Sequence, residues 1–218
     1  DPRIPETTQE HPVSEPYRVC IVCTGNICRS TFAERWSRHL APHGLTFSSA
    51  GTMALVGNPM DELMAHELRQ RGGDPEGFTA RQVSLPILRE ADLVLTMERR
   101  HKAYVVDEMP SLTRRTHTLG HFLHAVDELA AAGPVPSGPA LVDAVSRVRV
   151  PSSRAESVED PYRRGPEKAA QAGQQLEAWV GRVVGALASS APVDAAPGRP
   201  AGGRPAAGGS TAVRLFGD

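Results

Sequence analysis

Cysteine is scarce in this sequence and confined to one place. The chain has 218 residues and three thiols, Cys20, Cys23 and Cys28, with none after them. So few thiols, so crowded, exclude the spread-out disulfide framework of a small secreted domain. Aromatic residues are also few, at 5% of the chain, so a core must be mainly aliphatic. Neither sign of charge dominates: 24 Lys and Arg face 25 Asp and Glu, for a net charge of -1. That balance argues against a nucleic-acid binder working through bulk electrostatics. No apolar run approaches the length of a membrane-spanning helix, and no signal-peptide pattern opens the sequence. The first residue is Asp1 rather than methionine, which is consistent with a native N-terminus further upstream. The setting these absences imply is a reducing cytoplasm.

What is present reads as one domain, residues 16–190, between two tails. Residues 1–15 are polar, rich in proline and without periodicity, and are expected to form a flexible N-terminal tail. Residues 191–218, beginning "APVDAAPGRPAGG", are low in complexity and expected to be disordered. Between them, short apolar runs at Tyr17–Cys23, Leu45–Ala50, Ala91–Met97 and Thr116–Leu119 read as strands. Amphipathic segments alternate with them. Ser30–Ala41 places Phe32, Trp36 and Leu40 on one stripe. Met60–Gly72, Glu98–Glu108 and His121–Gly133 follow as helices. Pro166–Leu187 carries Leu176, Trp179, Val180, Val183, Val184 and Leu187 on one face. Alternating β and α segments, with strands this short and apolar, imply an α/β fold whose parallel sheet is covered on both faces.

On a strand spanning Tyr17–Cys23, Cys20 and Cys23 point to opposite faces, so they form neither a metal knuckle nor a redox pair. Cys20 fits the role of a buried small hydrophobe. Cys23 instead ends the strand, where open α/β folds bind their ligands. The following turn, "TGNICR", can aim successive backbone N–H groups of Thr24, Gly25, Asn26, Ile27 and Cys28 at an anion, and the next helix adds its N-terminus. Gly25 lets the backbone approach closely, Asn26 tolerates a positive φ, and Arg29 can grip two phosphate oxygens with its planar fork. A thiol at the centre of such a nest is favoured as thiolate. Cys-x5-Arg is then a phosphate cradle around a sulfur nucleophile. The plainer alternative is a tight β–α turn that happens to contain both residues.

The run "VCTGNICRSTFAE" resembles the signature of the low-molecular-weight protein tyrosine phosphatases. "SSAGTMALVGNPMDE", "TARQVS", "ADLVLTMERRH" and "EDPYRRGPE" follow in that family's order, covering roughly Tyr17 to Leu187. Several of these pieces look most like the bacterial branch that partners tyrosine kinases of exopolysaccharide and capsule export. The resemblance implies a four-stranded parallel sheet flanked by helices on both faces, and hydrolysis of phosphotyrosine through a phosphocysteine. It assigns Cys23 as nucleophile, Arg29 as the grip on the phosphoryl oxygens and Asp160 as the general acid. Ser30 would hydrogen-bond the thiolate, while Leu55 and Tyr162 would form opposite walls of the ring slot. No metal or other cofactor is implied. The implied partner is a phosphotyrosine-containing protein, such as a tyrosine autokinase, with no nucleic acid and no membrane span.

The sequence also departs from that pattern. Thr31 stands where the family usually has proline, and Leu55 where many relatives carry a large aromatic. Residues Gly133 to Glu159, leading to Asp160, form a longer approach than the family core requires. There "GPVPSGP" is expected to be flexible, Ala140–Val148 to form a short helix, and Arg147, Arg149 and Arg154 to be solvated. His117, His121 and His124 lie close together, yet no cysteine or glutamate completes a metal set, and His66 lacks the second histidine of a zinc-protease helix. Two other functions stay open. A thiol-dependent arsenate reductase would want a shuttle cysteine that nothing beyond Cys28 supplies. A non-catalytic phosphotyrosine-binding module would have no need of Asp160.

Overall fold

The computed structural model describes residues 16–42, 44–151 and 157–188. The two tails, and Arg154 in the approach to Asp160, lie outside the described residues. The apolar runs form four parallel strands, β1 (Tyr17–Cys23), β2 (Leu45–Gly51), β3 (Leu93–Thr96) and β4 (Thr116–Thr118), in the order β2-β1-β3-β4. Interleaved with them are α1 (Arg29–Leu40), α2 (Glu62–Gln70), α3 (Leu85–Glu90), α4 (Arg99–Glu108), α5 (Leu119–Ala132), α6 (Gly138–Val145) and α7 (Pro166–Ala188).

Strand β1 explains why its run is apolar from Val19 to Cys23. Val19, Ile21 and Cys23 face a large core shared with α1, α2, α5, α6 and α7, while Cys20 and Val22 face a smaller one shared with α3 and α4. Each aliphatic side chain fully buried this way contributes about 1.5–3 kcal/mol. Cys20 is fully enclosed, and burial pushes its thiol up to about 11, so it stays a protonated packing group. Helix α7 buries Leu176, Val180, Val183, Val184 and Leu187 against the large core and half-buries Trp179.

Three local expectations need correction. Leu40 is 38% exposed. The buried stripe of α1 runs through Phe32, Ala33 and Trp36, because the helix ends at Ala41, which is already extended, and its last turn overhangs the core. The sequence periods do not show helix α3 or a 3-10 turn at Pro110–Arg115; each is a six-residue element with proline among its first two residues and is too short to show a period. In the approach to Asp160, α6 buries Leu141, Val142 and Val145 in the large core, and Val158 is fully buried. That stretch is therefore partly core, although Arg147 and Arg149 are exposed.

Candidate active site

The carboxyl end of β1 runs straight into the turn Thr24–Cys28 and then into α1. The turn's orientation follows from where its carbonyls go. The carbonyls of Cys23, Thr24, Gly25 and Ile27 accept from the N–H groups of Thr52, Met53, Leu55 and Asp61, at 2.8–3.0 Å. The Asn26 carbonyl accepts from the Thr31 hydroxyl at 2.9 Å, and that of Cys28 from Phe32 N–H at 2.9 Å. With six successive carbonyls turned outward, the N–H groups of Thr24 to Cys28 are left to the inside. None of them donates to an acceptor among the described residues. Such a run of free donors is an anion nest. Asn26 takes φ 54, the positive value that closes the curl.

The wrapping loop depends on one glycine. A Cβ on Gly51 would stand 2.4 Å from the Thr24 carbonyl and 3.0 Å from Asn26 Cβ, so a side chain there would push the nest apart.

A polar chain sets the direction of the hydrogen bond to the thiol. Ser49 Oγ donates to Glu34 Oε2 at 2.5 Å, which leaves its lone pairs for Asn26 Nδ2 at 2.8 Å. Asn26 Nδ2 also donates to Ser30 Oγ at 3.0 Å. Ser30 therefore has its own proton free for Cys23 Sγ, 2.9 Å away. Asn26 Oδ1 is held by the Arg81 N–H at 2.9 Å. Every member of the chain is buried except Arg81.

Arg29 is only 1% exposed. Its Nη1 binds Glu98 Oε1 at 2.5 Å and the Val158 carbonyl at 2.9 Å, and its Nη2 meets Asp160 Oδ2 at 2.9 Å. Its Nε is buried without a partner among the described residues. Burial works against the Glu98 carboxylate, yet the hydrogen bonds from Arg29 and Arg100 outweigh it and hold the group below the usual carboxylate range. On the outer side of the nest, His101 Nε2 lies 2.9 Å from Thr24 Oγ1. Burial pushes this imidazole down to about 4, so it is neutral near pH 7.

The nest opens into a slot of about 180 Å³. Cys23, Arg29 and Asp160 meet there, and Ile27, Leu55 and Tyr162 supply apolar wall. Thr24, Gly25 and Cys28 also line it, whereas Ser30 lies behind the thiol. The slot thus gathers the residues singled out from sequence except Asn26 and Ser30, which are buried outside its lining. Met53, 74% exposed at its mouth, was missed, as were Glu98, His101, Ser49 and Glu34. Only "LVLTMERRH" hinted at two of them, since a carboxylate and a histidine directly follow a strand's carboxyl end. The Cys28 thiol is held well above its ordinary range, first by burial and then by nearby Asp61. Among the described residues no cluster could hold a metal ion, and no helix is long and apolar enough to cross a membrane.

Comparison with known proteins places this geometry. Residues 18–141 match the family described as low molecular weight phosphotyrosine protein phosphatase. The low molecular weight protein-tyrosine-phosphatase Wzb of Salmonella typhi is 40% identical over 105 residues, 48% of this chain and 70% of the relative. Among solved structures, the tyrosine phosphatase Wzb of Escherichia coli K30 in complex with sulphate superposes with a TM-score of 0.60 at 26% identity, over 77% of this chain and 96% of that one. The YwlE arginine phosphatase of Geobacillus stearothermophilus shares the fold, with a TM-score of 0.62 at 24% identity over 78% and 92%.

Proposed function

This chain belongs to the low molecular weight phosphotyrosine protein phosphatase family, and from that premise we propose that its slot hydrolyses phosphotyrosine through a phosphocysteine on Cys23. The observation that carries the proposal is the meeting of the Cys23 thiol, the Arg29 guanidinium and the Asp160 carboxyl in one slot behind a run of free N–H donors. The family match ends at residue 141, so the roles of Asp160 and Tyr162 rest on this geometry.

In the first step Cys23 Sγ attacks phosphorus, the bond from phosphorus to the tyrosyl oxygen breaks, and Asp160 delivers its proton to that oxygen. The nest N–H groups and Arg29, with its unused Nε, hold the equatorial oxygens as charge shifts. Glu98 and Val158 keep the guanidinium in place from behind. In the second step Asp160 takes a proton from water, water oxygen bonds to phosphorus, and the phosphorus–sulfur bond breaks. Inorganic phosphate leaves and the thiolate is restored, its charge met by the Ser30 hydroxyl. A phosphotyrosine-bearing protein, such as a tyrosine autokinase, is the proposed substrate.

The slot's walls favour tyrosine over arginine. Ile27, Leu55 and Tyr162 offer a flat aryl ring apolar contact, but would strip water from a charged guanidinium without replacing it. Arsenate reduction is disfavoured because Cys28 is buried with its thiol held protonated. Purified protein should be offered phosphotyrosyl, phosphoseryl and phosphoarginyl peptides, and arsenate with thiol. Turnover of the phosphotyrosyl peptide well above the rest is expected; preference for any of the others would reject the assignment.

A further inference from the structure

Helices α4 and α5 leave between them a cleft of about 380 Å³, lined by Ala103, Val106 and Val150 together with Arg99, Lys102 and His121. Arg99, Lys102, Ala103 and Val106 fall at i, i+3, i+4 and i+7, so a single stripe of α4 supplies both cations and part of the apolar lining. Thr118 stands at the same edge. Its hydroxyl oxygen accepts from the His121 N–H at 3.2 Å, leaving its own proton to donate.

The charges here are unbalanced. Some arginines elsewhere meet carboxylates, such as Arg29 with Glu98, Arg38 with Glu34, Arg69 with Glu62 and Arg71 with Glu67, while Arg35 and Arg163 lie over aromatic rings. Among the described residues, no carboxylate pairs with Arg99 or Lys102. The Lys102 ammonium is disfavoured first by burial and then by Arg99. His121 is held low by burial and then by Lys102 and His124. Behind it His117 stacks on the His121 ring at 5.5 Å between centroids, and it too is held low, by burial, Lys102 and His121. Arg99 is exposed at the cleft's edge, but Lys102 is half-buried there, and both its burial and the charge of Arg99 work against its ammonium. An anion in the cleft would relieve that repulsion.

We propose that this cleft is a second binding site for a phosphate monoester or inorganic phosphate, gripped by Arg99, Lys102 and His121 and distinct from the catalytic nest. Arg99 directly follows Glu98, the residue that holds Arg29, so one chain step links the cleft's edge to the catalytic site. Two sources can present the phosphate: a second phosphorylated residue on the same substrate segment, or the free phosphate that the proposed reaction releases. Only these sources rest on the phosphatase reading; the site itself rests on the cleft.

The test titrates inorganic phosphate into full-length Cys23→Ser protein and into the same protein carrying Arg99→Gln and Lys102→Gln. Two equivalents are expected in the first, followed by the resonances of α4 and α5 as well as of the nest. In the second, the affinity of the cleft equivalent should fall at least about tenfold, as loss of charge-assisted hydrogen bonds implies. One equivalent in both proteins, confined to the nest, overturns the proposal. With Cys23 intact, the double variant should hydrolyse p-nitrophenyl phosphate at the parent rate, which certifies its fold. A loss of kcat/KM confined to peptides with a second phosphotyrosine a few residues away would identify substrate as the source. Equal kcat/KM on singly and doubly phosphorylated peptides, with the second phosphate equivalent still present, would identify free phosphate. A protein that binds two equivalents but hydrolyses no phosphotyrosine would reject the phosphatase reading and leave the cleft standing.

Discussion

Asp160 Oδ2 lies 2.9 Å from Arg29 Nη2, so the proposed acid rests on the very guanidinium that would hold the phosphate. In the proposed mechanism an incoming dianion would take over that contact and leave the carboxyl to serve the departing oxygen. Asp160→Asn keeps the size but cannot donate an acidic proton. It should slow substrates with poor leaving groups about 10²–10⁴-fold and those with good ones far less. Measured kcat across a series of aryl phosphates decides this; an equal loss across the series would remove Asp160 as the acid.

Cys23→Ser should abolish turnover while vanadate binding persists, because the donors of the nest are backbone N–H groups and Arg29 rather than sulfur. Residual turnover at the parent rate would exclude Cys23 as nucleophile. Arg29→Lys should lose both activity and anion affinity, since an ammonium cannot reach Glu98, Asp160 and a phosphate in one plane.

Thr31→Val tests what stands in place of the expected proline. The Thr31 hydroxyl holds the Asn26 carbonyl, and Asn26 is fully buried. Losing the donor strands that carbonyl at a cost of about 1–3 kcal/mol. The melting temperature and kcat should both drop. An unchanged kcat would show that the curl is held without it.

His101 and Glu98 give a pH dependence with a defined sign. His101 titrates about 4 in the fold against 6.5 unfolded, so between those values the unfolded chain binds the extra proton and stability falls as pH falls. Glu98 is held below its ordinary value, so its contribution is present at neutral pH and is lost at more acid pH, as pH falls through its folded value. In His101→Gln the amide can still meet Thr24 Oγ1. Thermal midpoints of that variant should decline less between pH 6.5 and 4 than those of the parent, and parallel curves would contradict the assignment.

Much of this protein was legible in one dimension because the physics involved is local. Strand β1 alternates between two cores, which separates Cys20 from Cys23 without any knowledge of the sheet. A thiol at a strand end, a turn tolerant of positive φ and an arginine opening a helix make a nest by chain geometry alone. What only the tertiary structure decided is which distant residues reach that nest. Parallel pairing that sets Cys23 against Gly51 carries Ser49 to Asn26, and hence Glu34 into the chain that orients Ser30. Pairing of β1 with β3 brings Glu98 to Arg29 and His101 to Thr24 across about seventy residues. Register is a property of the assembled sheet, so a sequence period can place a side chain on a face but cannot say which side chain of another strand it will meet.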